Sequence, residues 1–159
     1  MTMPHGFSTA IRKKPNQTQA SPKEFGWRGY ALPELQRSRS SLTSALVIGV
    51  AWALWHLPLF WAPAGTAISG APITPIAVLR FATEVIAISI LITWLFNGAR
   101  GSVYAAIVVH ATWNAGMERF LFLPLDATAE TEVYVWSDRL LAVAAGGSVV
   151  VGGERWRAR

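Results

Sequence analysis

A chain of 159 residues in which 52% are hydrophobic and 14% charged is far poorer in charge than a soluble domain, where about a quarter of residues are charged, so an ordinary water-soluble globule is excluded. Fourteen Lys and Arg against nine Asp and Glu leave a net charge of +5, but long uncharged stretches direct that excess toward membrane topology rather than nucleic acid. No Cys is present, which removes disulfides, thiolate zinc sites and a cysteine nucleophile and leaves His, Asp, Glu and Asn for acid–base or metal chemistry.

Residues 1–21 are polar, interrupted by Pro4 and Pro15, and lack the apolar run of a signal peptide, which predicts a disordered tail. The next stretch, SPKEFGWRGYALPELQRSRS, mixes charges with Phe25, Trp27, Tyr30 and Leu32 between Pro22 and Pro33, the pattern of a short interfacial helix. Between Arg39 and Arg80 there is no Asp, Glu, Lys or Arg. The first half of that interval is long enough to cross a bilayer, which takes about 20 apolar residues. PAGTAISGAPITP then predicts a loop.

A second span follows over 76–96, apolar apart from Arg80 and Glu84, whose spacing of four lets them pair on one helix face. NGARGS predicts a turn, and a third run over 103–123 contains His110, Asn114, Glu118 and Arg119. Asp138 and Arg139 introduce a fourth apolar stretch, LLAVAAGGSVVVGG, short for a span and rich in Gly. The chain therefore predicts an all-α, polytopic transmembrane helical bundle of about four spans plus the interfacial helix, with a core over 22–153 and a basic tail over 154–159.

Loop charge supports that count. Arg12, Lys13, Lys14, Arg37 and Arg39, then Arg100, then Arg155, Arg157 and Arg159 fall on one side, whereas 124–138 holds Asp126, Glu130, Glu132 and Asp138. Basic flanks mark the cytoplasmic face, so both termini are expected there, in a bacterial cytoplasmic membrane.

Ionisable groups inside lipid are costly, and His56 and His110 sit on different apolar helices, which makes them candidates for chemistry. A single intramembrane His can equally serve as an interhelical hydrogen bond. Asn114 follows His110 by one turn and shares its face, Trp52 precedes His56 by the same spacing, and Glu24 precedes Arg28 by four, as a helical ion pair does. A carboxylate, two imidazoles and an Asn on three segments can bind and activate a water.

KEFGWRGYALPELQ, VAWALWHLPLFW and VVHATWNAG resemble, in order and spacing, the three motifs of the CPBP family of intramembrane proteases, also called the CAAX-protease and bacteriocin-processing, or Abi, family, which includes Rce1-like prenyl proteases. The resemblance covers residues 22 to 117. It implies an intramembrane endopeptidase in which a glutamate and a histidine activate water: Glu24, His56, His110 and Asn114 as the catalytic set, with Arg28 and Trp52 in support. It implies membrane lipid as surroundings, a peptide or protein substrate of the prenylated kind, and no nucleic acid. A divalent metal such as zinc, held by His56 and His110, is left open, because the ligands lack a diagnostic local spacing such as His-Glu-x-x-His.

The family's first motif normally begins with two adjacent glutamates, and here Lys23 holds the first position. Family members also usually have further spans upstream of that motif, where this chain has its polar tail. These departures motivate an alternative: a catalytically inactive, truncated relative acting as a membrane scaffold or an immunity or partner protein. A small metal-binding or transport protein built on the two histidines is a third possibility, short of intramembrane ligands.

Overall fold

The computed structural model describes residues 20–62, 73–121 and 127–156. The expected tail over 1–21 lies outside the described residues except for Ala20 and Ser21, which are helical, and most of the 63–75 loop lies outside them too. Every regular element described is helical, with no strand among them, as the sequence predicts.

The first rod comprises α1 (Ala20–Gly26), a π-helical turn (Trp27–Ala31) and α2 (Leu32–Gln36). Pro22 and Pro33 do not bound it, contrary to the expectation; the helix runs through both. Pro33 has no N–H to give to the preceding turn, and the wider π turn just before it makes room for the ring. In an α-helix, residues four apart overshoot a full turn by about 40°. The π turn takes that drift back, so Glu24, Arg28 and Leu32 all face inward and are fully buried. The segment is thus built into the bundle rather than resting on its surface, while Phe25 and Tyr30 point outward.

Helix α3 (Ser41–His56) is capped by Ser40, whose side chain accepts from the Thr43 amide, and continues into a 3-10 turn (Leu57–Trp61). Helix α4 (Pro75–Gly98) starts with Pro in its first turn and Thr74 as its cap, accepting from the Ala77 amide. Both starts follow the rule that orphan amides at a helix N-terminus take a hydroxyl partner. These two segments, Ser41–Trp61 and Pro75–Gly98, are long and apolar enough to cross a membrane. The turn between α4 and α5 (Val103–Leu121) closes with the Gly101 amide on the Phe96 carbonyl at 2.8 Å. Arg100 (φ +56°) and Gly101 (φ +81°) occupy the left-handed region there, the usual way to end a helix sharply.

The fourth expected helix is longer than its apolar stretch. Helix α6 runs Ala127–Val151, taking in Glu130, Glu132 and Asp138, assigned above to a loop. Ala127, Ala129, Glu130 and Glu132 favour helix irrespective of hydropathy, so apolarity marked where lipid is tolerated and not where the helix begins. The chain then folds back through a 3-10 turn (Gly153–Trp156), and the Trp156 indole donates to the Ser148 carbonyl at 2.7 Å.

Helix α4 is the hub, packing against α3, α5 and α6, while α1 packs on α5. Trp52, Ala53, Val85, Ile88, Ile92, Ala106, Leu141 and Ala145 form the main core, and Leu32, Ile48 and Phe96 a second one under the first rod. Outward-facing Leu46, Val50, Leu54, Leu79, Val108, Leu140 and Val150 leave an apolar exterior suited to acyl chains.

Contact between α3 and α4 is closest at Gly49. A Cβ there would stand 3.0 Å from the Ile86 Cα and 3.2 Å from the Ser89 Cβ, the small-residue approach that membrane helices use. Gly49→Leu is expected to destabilise the protein by about 1–3 kcal/mol through overpacking, measured by thermal unfolding in detergent. Gly26→Ala, where nothing lies within 4 Å, should be neutral or slightly stabilising.

Candidate active site

The π turn places Glu24 and Arg28 one above the other, pointing into the space bounded by α3, α4 and α5. Arg28 Nη1 donates to Glu24 Oε1 at 3.1 Å, and His110 on α5 brings its Nδ1 to the same oxygen at 2.8 Å. Both members of the ion pair are 0% exposed and His110 is 4% exposed, so this is a buried charged centre, not the surface salt bridge that the spacing alone would allow. Arg28 Nη2 donates to the Ser89 hydroxyl at 3.2 Å, and that hydroxyl donates to the Ala45 carbonyl at 3.0 Å. The guanidinium lies 5.0 Å from the centre of the Trp52 ring, within cation–π range. Burial presses Arg28 below its ordinary pKa and the Glu24 carboxylate pulls it back, the opposition expected of a desolvated pair.

Trp52 touches both imidazoles. Its ring meets His110 edge-on at 4.8 Å and His56 edge-on at 5.9 Å. The half-buried His56 also borders Phe81 at 6.0 Å, and Phe81 borders Phe60 at 5.6 Å. The predicted residues Glu24, Arg28, Trp52, His56 and His110 are therefore brought together, with the two imidazoles sharing one indole between them. Asn114 is one turn beyond His110 on α5 and exposed. The polar face of that helix thus passes from closed at His110 to open at Asn114. Lys23 is half-buried, with its ammonium in electrostatic reach of His56.

The hydrogen bonds decide the tautomers. His56 Nδ1 lies 2.8 Å from the Trp52 carbonyl, which only accepts, so in the neutral ring Nδ1 bears the hydrogen and Nε2 the lone pair. His110 Nδ1 faces a carboxylate and is assigned the same way, leaving its Nε2 as a second lone pair. A carboxylate that orients an imidazole by its Nδ1–H is the arrangement that prepares Nε2 as a general base.

Among the described residues no group of three His, Cys, Asp or Glu is placed to hold a metal ion.

Sequence reasoning missed Ser89. Nothing in a lone Ser within an apolar helix separates it from helix packing, and only its placement opposite Arg28 does so.

The Rce1-like family, described as type II CAAX prenyl endopeptidases, matches residues 18–116. CAAX prenyl protease 2 of Methanococcus maripaludis is 31% identical over 99 residues, covering 62% of this chain and 36% of that protein. The chain spans little more than a third of the length of this curated relative. Every residue of the buried centre, from Glu24 to His110, and Asn114 beside it, lies in the matched stretch.

Removing one partner of a buried ion pair leaves the other charge uncompensated. Arg28→Met is expected to cost about 3–5 kcal/mol, read as a large drop in unfolding temperature in detergent or bilayer. A loss under about 1 kcal/mol would mean that the pair is effectively solvated.

Proposed function

The chain belongs to the Rce1-like family of type II CAAX prenyl endopeptidases, and on that premise we propose that this membrane protein hydrolyses a peptide bond of a prenylated peptide or protein substrate by activating water. The observation that supports this best is the buried Arg28–Glu24–His110 array, with His56 in contact with the same indole as His110.

The chemistry follows from the tautomers. Glu24, paired with Arg28, holds the His110 Nδ1–H and orients the ring, so that Nε2 can accept a proton as water attacks the scissile carbonyl. His56 offers a second Nε2 in the adjoining aromatic niche, placed to take or return a proton at the leaving amine. Asn114, at the open end of the α5 face, is the amide available to donate to the developing oxyanion. Glu24 acts in this scheme through His110 and not as the base itself, because its Oε1 is shared by two donors and the carboxylate is fully enclosed.

Cleavage of a farnesylated peptide by protein reconstituted in liposomes tests the proposal. His110→Ala and His56→Ala should each lower turnover by about a hundredfold or more while membrane insertion is unchanged. Native-level cleavage in both variants would overturn it.

One observation favours a second reading, a family member that binds but does not cleave. Lys23 stands where the family normally has a glutamate, and the ammonium, not a carboxylate, is in reach of His56. Under this reading the native chain gives no product and Lys23→Glu restores cleavage; product from the native chain rules it out.

A further inference from the structure

Ser89 is the one polar side chain in the centre that the chemistry above does not use, although it is 0% exposed and on the helix that forms the hub of the fold. Its hydroxyl has one hydrogen. The Ala45 carbonyl can only accept, so the hydrogen is committed to that carbonyl at 3.0 Å, and the oxygen lone pairs are left for Arg28 Nη2 at 3.2 Å. The direction of each hydrogen bond is thereby fixed by the chemistry of its partner. From Ala45 on α3 the chain passes through Ser89 on α4 to Arg28 and Glu24 on the first rod and ends at His110 on α5.

The approach that makes this possible is local. Gly49, one turn after Ala45, has no side chain where a Cβ would crowd Ser89, so α4 comes near enough to α3 for a hydroxyl to reach the helix backbone. The Arg28 fork is then pinned at both terminal nitrogens, one on Ser89 and one on Glu24. With one prong released, the planar guanidinium can turn about the other, and the Glu24 oxygen that it shares with His110 moves with it.

We propose that Ser89 is a positioning residue of the hydrolytic centre: by holding the second prong of Arg28 it sets the Glu24 carboxylate, and through it the tautomer and orientation of the His110 ring. The proposal rests on the hydrolytic reading of this site for its effect on turnover, but its effect on the His110 ring does not need turnover. The same hydrogen-bond path, altered one link from Arg28 and three links from the imidazole, separates positioning from packing.

The test compares native protein with Ser89→Ala, which removes the hydroxyl, and Ser89→Cys, which keeps the side-chain volume while offering a weak donor and acceptor. The first readout is the imidazole nitrogen spectrum of His110 in lipid bilayers, assigned with His110→Ala. Native protein should show one Nδ1–H form with a strongly hydrogen-bonded proton; both Ser89 variants should show a mixture of tautomers or loss of that proton signal. The second readout is peptide cleavage, in which kcat should fall about ten- to a hundredfold with KM little changed, as for a misplaced catalytic group. An unaltered His110 spectrum in a folded Ser89→Cys protein overturns the proposal, even if Ser89→Ala is less stable. No cleavage by the native chain, together with altered His110 spectra in the variants, would sink the hydrolytic reading and leave the positioning role of Ser89 standing.

Discussion

A carboxylate enclosed by apolar helices is tolerable only if its charge is answered on the spot. Glu24 is answered twice, by the Arg28 guanidinium and by the His110 Nδ1–H, on the same oxygen. Because the two answering groups come from different segments, the first rod cannot leave α5 without uncovering a charge. The arrangement therefore constrains the bundle more than any apolar contact does, since van der Waals packing allows helices to slide where a shared carboxylate oxygen does not. Trp52 completes it: the indole covers the guanidinium and touches both imidazoles.

Much of this was legible in the sequence, and what was not has physical causes. His56 and His110 stood out because ionisable groups in apolar runs are costly, and Glu24 and Arg28 because a spacing of four invites a pair. The same spacing could not say whether that pair was wet or dry; only the π turn, which keeps Glu24, Arg28 and Leu32 on one line, turns it inward. Pro22 and Pro33 read as helix boundaries because Pro usually ends a helix, yet a turn already widened ahead of Pro33 has little left for it to break. The start of α6 was missed for the complementary reason that Glu130 and Glu132 are poor in lipid but good in helix. Ser89 had no local signature at all. Its role exists only across the α3–α4 contact, between residues 44 positions apart.

The extent of the family match fits this division of labour. It ends at residue 116, past Asn114 and before α6 begins at Ala127. Within it lie both close helix–helix approaches, the Gly49–Ser89 crossing and the α1–α5 pairing through Glu24. Helix α6 contributes Leu141 and Ala145 to the core and packs on α4, but it supplies no polar group to the centre among the described residues. Its part is to cover the outer side of the hub, which any apolar helix of suitable length can do. The site makes demands on residue identity that the cover does not.

Lys23 makes the balance of charge in the centre different from that of the family's usual pair of glutamates. With two carboxylates, one can be neutralised by Arg28 while the other remains available beside His56. With Lys23, one oxygen of the remaining carboxylate is shared by Arg28 and His110, and the residue in electrostatic reach of His56 brings positive charge. At that end of the site the His56 Nδ1–H is tied to the Trp52 carbonyl, which leaves the lone pair on Nε2. The His110 ring is held at the same nitrogen by a carboxylate instead of a carbonyl. The two histidines are consequently unequal in their surroundings: His56 is half-buried and fastened within its own helix, whereas His110 is buried, carboxylate-linked and anchored, through Arg28 and Ser89, to the backbone of α3.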